Sequence, residues 1–214
     1  MFNPRFLVVS LGNPAPYTDT LHSAGHIVLS ALQSKLLPEN PSFSPRRLGK
    51  KTALVSAGPK YLLAQSPTLM NVSGPWVSRA WQEELESCGG GRAAERNLAL
   101  VLVHDDLEEE LGVVKARPWG RSHRGHNGIK SVNASLRPSG EEGSPLWARV
   151  SVGIGRPEGR DAATVSEYVL RKMRPSERAV LEGEAPAAVL EVLLGLERQW
   201  EREQSKRSGQ DATA

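Results

Sequence analysis

Histidine, carboxylate and amide side chains recur where runs of apolar residues stop. Leu11-Gly12-Asn13-Pro14 closes the apolar run Phe6-Leu7-Val8-Val9, and Thr20-Leu21-His22-Ser23-Ala24-Gly25 follows after a short loop. Met70-Asn71-Val72-Ser73-Gly74 precedes an amphipathic stretch, His104-Asp105-Asp106 ends the most apolar run in the chain, and Gly125-His126-Asn127-Gly128 opens another amphipathic stretch. Such groups move protons and hold developing negative charge. Each has a local explanation when taken alone, because Asn and Asp cap turns and a histidine at a helix start caps or packs. Four such endings at the edge where open α/β sheets bind ligands are harder to assign to turns alone.

Other chemistries fit less well. His104, His123, His126 and Asp105 are metal-ligand types, but they lack the compact two-histidine helical spacing of a metalloprotease, so neither a metal nor another cofactor is expected. Ser73 lies outside a Gly-x-Ser-x-Gly elbow, and capping of the next helix is the expectation for it. Cys88 is the only cysteine, which excludes an intramolecular disulfide; beside Gly89-Gly90-Gly91 it reads as a helix-end residue.

The elements that must position these groups alternate between strand and helix patterns. Residues 20 to 36 carry Ile27, Val28, Leu29, Leu32 and Leu36 at helical spacing. Pro38, Pro41 and Pro45 then mark a loop with Arg46, Arg47, Lys50 and Lys51. Thr52 to Ala57 and Tyr61 to Gln65 read as strands joined at Gly58-Pro59, a hairpin, and Trp76, Val77, Ala80, Trp81 and Leu85 mark a helix. Leu98 to Val103 predicts a central strand buried on both faces. A short strand over 113 to 117, the segment Gly120 to Gly128 and then a helix through Leu136, a polar loop over 138 to 146 and a strand from Trp147 to Ile154 follow. Ala162 to Leu170 and Pro175 to Gln204 read as helices. The expected fold is α/β, a single-domain three-layer sandwich with a mixed twisted β-sheet flanked by helices, spanning 1–204, with a polar tail over 205–214 expected to fray.

With 39% hydrophobic and 24% charged residues over 214 positions, the chain has an ordinary globular composition. No stretch approaches the roughly 18 apolar residues of a membrane span. Met1 to Arg5 lead directly into the first strand, so secretion is not expected; cytoplasmic and mitochondrial locations stay open. The formal net charge of +3 permits a polyanionic partner without requiring one.

The ordered set Leu11-Gly12-Asn13-Pro14, Thr20 to Gly25, Met70 to Gly74, His104-Asp105-Asp106-Leu107, Gly125-His126-Asn127-Gly128 and Val152-Gly153-Ile154-Gly155-Arg156-Pro157 resembles the motifs of the bacterial-type peptidyl-tRNA hydrolase family. The likeness spans roughly residues 5 to 200, far more than a lone short motif. Ala15 stands where a second glycine is usual, Leu21 and Ser23 replace the usual neighbours of the histidine, and residues 139 to 145 form an extra segment.

The resemblance implies hydrolysis of the ester between a peptide and the 3′ ribose of tRNA. His22 would then be the general base on water, with an ordinary pKa of about 6.5 suited to neutral pH. Asp105 would fix its tautomer, and the amides of Asn13 and Asn71 would face the oxyanion. By the same resemblance Asn127 would hold peptide carbonyls, with Met70, Tyr17 and His126 completing the substrate site; for Met70 the core remains the alternative. Lys115 and Arg149 match positions that hold an acceptor-stem phosphate, with Arg117 and Arg124 as further tRNA contacts and a solvated charged surface as the alternative for all four. The expected partner is peptidyl-tRNA, bound by a monomer. A competing expectation is a catalytically idle RNA-binding relative acting in RNA processing or splicing.

Overall fold

In the computed structural model, which describes residues 2–137 and 146–211, Arg5–Ser10 forms β1, followed by a single 3₁₀ turn at Leu21–Ser23 and by α1, Ala24–Lys35. Then come β2, Ser44–Leu48; β3, Lys51–Ala57; β4, Tyr61–Gln65; a 3₁₀ turn at Met70–Val72; α2, Gly74–Ser87; and α3, Gly91–Asn97. The rest is β5, Leu98–Asp106; β6, Val114–Pro118; α4, Asn127–Ser135; β7, Leu146–Gly153; α5, Ala162–Leu170; α6, Pro175–Gly183; and α7, Ala185–Asp211.

The strands form one seven-stranded sheet in the order β2-β3-β4-β1-β5-β7-β6. β1 runs parallel to β4 and β5, β5 parallel to β7, while β2, β3 and β6 pair antiparallel, so the sheet is mixed as expected. Alternation along the strands splits the core in two. Phe6, Val8, Val101 and Val150 face α1, α6 and α7, with Leu29, Leu32, Leu181 and Leu193 packed on them. Leu7, Val9, Leu100 and Leu102 face the other way, onto Trp76, Trp81, Ile129 and Val132 of α2 and α4. β5 is buried along its whole length because strands pair on both edges and helices cover both faces.

Four expectations change. The segment after Pro41, expected as a loop, is the edge strand β2, which an edge position allows because Pro45 has no ladder donor to lose there. α3 lies in a stretch for which no element was expected. The helix expected from Pro175 to Gln204 is two helices, broken at Gly183-Glu184 ahead of Pro186, whose ring restrains the residue before it. α7 also extends to Asp211, into the expected tail, with Ser205 Oγ donating to the Glu201 carbonyl one turn back. The segment expected as a loop over 138 to 146 lies outside the described residues except for Leu146, which begins β7.

Candidate active site

β1, β5 and β7 run parallel, so their carboxyl ends open on one edge, and the polar chain ends collect there. Gly12 and Gly25 make this possible sterically: a Cβ on Gly12 would lie 2.5 Å from the His26 ring, and one on Gly25 would lie 2.7 Å from the Val103 carbonyl. His26 itself is buried, 2.7 Å through Nδ1 from Ser10 Oγ, and burial pushes its pKa down to about 4, so it is a neutral strut under the β1 turn.

Asn13 is held at both ends. Its backbone N–H donates to Ser23 Oγ at 3.0 Å, and its Oδ1 accepts from the Met70 N–H at 2.8 Å. A backbone N–H can only donate, so the amide orientation is fixed and the side-chain NH₂ is the free end. Ser73 does not cap α2 with its side chain as expected; its hydroxyl donates to the Met70 carbonyl at 2.9 Å and closes the same turn.

The 3₁₀ turn at Leu21–Ser23 brings His22 to Asp105, with Nδ1 2.9 and 3.0 Å from the two carboxylate oxygens. His126 reaches the same carboxylate through Nε2, 3.0 Å from Oδ1. The N-terminus of α4 sets the tautomer of His126: Nδ1 accepts from the Gly128 and Ile129 N–H groups at 3.1 and 3.2 Å, so Nε2 carries the proton and donates to Asp105. Asp105, 3% exposed, is thus a buried carboxylate with donors from two imidazoles. Burial alone would raise its pKa, but His22 and His126 hold it far below the usual carboxylate range. For His22 burial acts downward and is the largest single influence, yet the Asp105 charge and hydrogen bond together leave its pKa raised. With Nδ1–H on Asp105, Nε2 of His22 is left as the lone-pair nitrogen. His104 adds an edge-on contact to the His126 ring at 4.9 Å; its Nδ1 donates to the Asp105 carbonyl at 2.7 Å, and burial pushes its pKa down to about 3.

These groups line a cavity of about 650 Å³. His22, Asp105, His126 and Asn13 form its polar wall; Leu69, Met70, Val165, Val169 and Leu170 form an apolar one. Tyr17, Asn71 and Asn127 stand exposed at its rim. The α5 side of this wall was not expected from the sequence. Ala162 to Leu170 shows helix periodicity, but its place over the site depends on pairing of Thr20 with Lys172 and on the Leu21 N–H bond to the Arg171 carbonyl, contacts made across 150 residues of chain.

The expected tRNA-binding cations divide. Lys115 is about half exposed and pairs with Glu109 at 2.6 Å. Arg117 bonds Glu109 and, at 3.2 Å, Asp106; Arg124 is half exposed, 3.7 Å from Asp106. Arg149, expected as a phosphate contact, lines the cavity but is only 2% exposed, and its Nη2 donates to the Pro118 and Arg121 carbonyls at 3.1 and 2.6 Å. It lies on β7 between β5 and β6, and those two hydrogen bonds tie its guanidinium to the loop before His126. His22, Asp105 and His126 are the group among the described residues that could hold a metal, their ligand atoms within 4.8 Å of one another. An ion there would have to displace the protons that now join both rings to Asp105.

A histidine oriented by a buried carboxylate, with a fixed amide lining the same cavity at the carboxyl edge of a parallel core, defines an α/β protein whose site has the groups that activation of water against a carbonyl requires. The sequence and structure comparisons agree with that class. The peptidyl-tRNA hydrolase family matches residues 7–213, and the chain belongs to it. The Anaeromyxobacter sp. (strain K) peptidyl-tRNA hydrolase is 38% identical over 181 residues, covering 82% of each chain. That of Saccharomyces cerevisiae is 33% identical over 190 residues, covering 86% of this chain and 93% of the relative. The crystal structure of the Acinetobacter baumannii peptidyl-tRNA hydrolase superposes with a TM-score of 0.67 at 25% identity, over 94% of this chain and 93% of that one.

Proposed function

We propose that this protein is a peptidyl-tRNA hydrolase whose base is His22. The observation that carries the reading is the His22–Asp105 contact, which commits Nδ1 to the carboxylate and leaves Nε2 on the cavity side. Nε2 takes a proton as water attacks the ester carbonyl. The Asn13 NH₂, oriented by the Met70 N–H, donates to the carbonyl oxygen as it becomes an oxyanion. Collapse of the tetrahedral intermediate breaks the bond to the ribose oxygen, and the His22 imidazolium returns its proton to that oxygen, giving free tRNA and peptide. Asp105 stays ionised throughout and stabilises the imidazolium.

Asn71 and Asn127, at the rim, hold the peptide backbone, and His126 braces Asp105 beside His22, donating to the Oδ1 that His22 also reaches. Tyr17, Met70 and the apolar α5 face receive peptide side chains. Lys115, Arg117 and Arg124 face the tRNA end, and Arg149 supports the loop that carries Arg121 and Arg124. No metal enters this scheme, and the protein acts as a monomer in the cytoplasm or mitochondrion. No helix among the described residues is long and apolar enough to cross a membrane.

The test is turnover of an N-acetyl-aminoacyl-tRNA beside the unblocked aminoacyl-tRNA, in buffer with and without EDTA. Rapid hydrolysis of the blocked ester alone, unchanged by EDTA, is expected. Equal rates on both esters would remove the role given to the rim amides, and loss of activity in EDTA restored by zinc would replace the metal-free scheme.

A further inference from the structure

The β2–β3 hairpin has no part in the chemistry, yet it carries four cations, Arg46, Arg47, Lys50 and Lys51, within six residues. Arg47, Lys50 and Lys51 are all exposed, and among the described residues none of the three forms an ion pair. The nearby carboxylates are committed elsewhere: Glu83 accepts the Gly49 N–H at 2.8 Å, and Glu84 pairs with Arg5 and Arg46. Leu48 pairs with Lys51, so Gly49 and Lys50 alone make the turn, and both have positive φ, 57° and 67°. Glycine or asparagine is the usual choice where a two-residue hairpin needs that backbone; a lysine there costs energy that its contacts within the chain do not explain. The turn is not loose. Trp76 Nε1 donates to the Leu48 carbonyl at 2.9 Å, and the Trp76 ring lies against Gly49.

Strand register places this turn at the same edge of the sheet as the active site. Leu54 pairs with Gln65 and Gln65 with Ser10, so Lys51 lies three residues beyond that level, as Asn13 lies three residues beyond Ser10 in the same direction. β3 is two strands from β1, roughly 10 Å across the sheet. Lys115 and Arg117 lie on β6, three strands away on the other side of β1. The cavity therefore opens between two basic edges, with β2 and β6 separated by about 29 Å of sheet. A polyanion longer than a single phosphate is what both edges engage together.

We infer that the β2–β3 hairpin, through Arg47, Lys50 and Lys51, is a second contact for the sugar-phosphate backbone of the tRNA, on the side of the cavity opposite Lys115. The inference deepens the hydrolase reading and rests on it for the identity of the RNA. The contact is to phosphates and is blind to base sequence.

The experiment compares wild type with the variant carrying Arg47→Gln, Lys50→Gln and Lys51→Gln, which keeps the side-chain stems and removes the charges. Binding of deacylated tRNA is measured by fluorescence anisotropy at several salt concentrations, and turnover on N-acetyl-aminoacyl-tRNA and on an N-acetyl-aminoacyl ester of a short 3′ oligonucleotide. The variant is expected to bind tRNA more weakly, with the slope of log affinity on log salt reduced by about 0.9 for each phosphate no longer neutralised. The fall in affinity between about 50 and about 200 mM salt should shrink by about 40-fold if all three side chains engage phosphates. KM should rise on the full tRNA and stay at the wild-type value on the short ester. Lys50→Gly, which suits the turn, should reduce the slope by the amount of one phosphate without lowering Tm. Wild-type tRNA affinity and salt slope in the triple variant would overturn the inference while leaving the hydrolase reading intact. An equal defect on the short ester would also overturn it, as damage to the site. If wild type hydrolysed neither ester, the hydrolase reading would fail, but the anisotropy measurement would still decide the hairpin. Binding to phosphatidylserine vesicles that the triple variant loses, with tRNA binding kept, would make the hairpin a lipid-headgroup contact and overturn the RNA assignment.

Discussion

At the scale of single residues, the His22 pKa is decided by a contest between burial, which pushes it down, and Asp105, which more than offsets burial. Only neutral imidazole accepts a proton from water, so kcat/KM should fall as pH drops through the His22 pKa, which lies above the ordinary value of about 6.5. Asp105→Asn removes the charge and leaves burial unopposed. The acidic limb should then move to lower pH while the plateau falls by about 10²-fold or more. A limb that stays in place would mean Asp105 does not set the His22 pKa. His22→Ala should lower turnover by about 10²- to 10⁴-fold with tRNA affinity unchanged, checked by single-turnover hydrolysis and anisotropy. The residue types of this site were legible in the sequence because Asn13 and Asp105 close apolar runs while His22, Asn71 and His126 stand at the start of amphipathic stretches. The tautomer of His126 was not, since it depends on backbone N–H groups of α4 whose aim is settled only by the helix itself. Nor was the burial of Arg149, because an arginine in an alternating strand has no local mark that tells a surface from a covered position.

At the scale of elements, the site depends on how closely α2 and α4 approach. Gly74, the first residue of α2, donates its N–H to Ser131 Oγ at 2.9 Å, and a Cβ on it would lie 2.0 Å from the Ser131 carbonyl oxygen. Backbone cannot yield as a flexible side chain does, so Gly74→Ala should push the helices apart at a cost of about 1–3 kcal/mol. Thermal unfolding should show a Tm lower by roughly 2–4 °C for each kcal/mol. The displaced elements carry Asn71 and Asn127, so KM for the blocked aminoacyl-tRNA should rise more than kcat falls; a wild-type Tm would show that the helices have slack. Periodicity identified α1, α2, α4 and α5 and the strands β1, β3, β4, β5 and β7, since burial of one face or both imposes it. It missed β2, where Ser44, Pro45, Arg46 and Arg47 are all exposed and an edge strand needs no apolar alternation. It also fused α6 with α7, because Leu181, Val189 and Leu193 meet the same core across the break.

Over the whole molecule, binding of a large polyanion must be separated from the handling of one ester, and the exposed and buried cations allow that. Lys115 is half exposed and its partner is Glu109. To hold a phosphate it exchanges one anion for another, so part of the gain from the phosphate is offset by leaving the carboxylate. Lys115→Ala should raise KM for the full tRNA ester, reduce the salt slope by about 0.9, and leave kcat and the short-ester kinetics unchanged, because the contact is as strong in the ground state as in the transition state. Glu109→Gln should do the reverse, lowering KM on the full tRNA, since Lys115 and Arg117 are both released from a competing charge. Arg149→Ala should behave like neither. It deletes a buried side chain and leaves the Pro118 and Arg121 carbonyls without their donor, so Tm should fall and both esters should suffer alike. Tm and KM measured on the three variants distinguish these outcomes. If Arg149→Ala kept its Tm and had weaker affinity for the full tRNA alone, Arg149 would be a phosphate contact after all, and the loop from Pro118 to Arg124 would have to open to expose it.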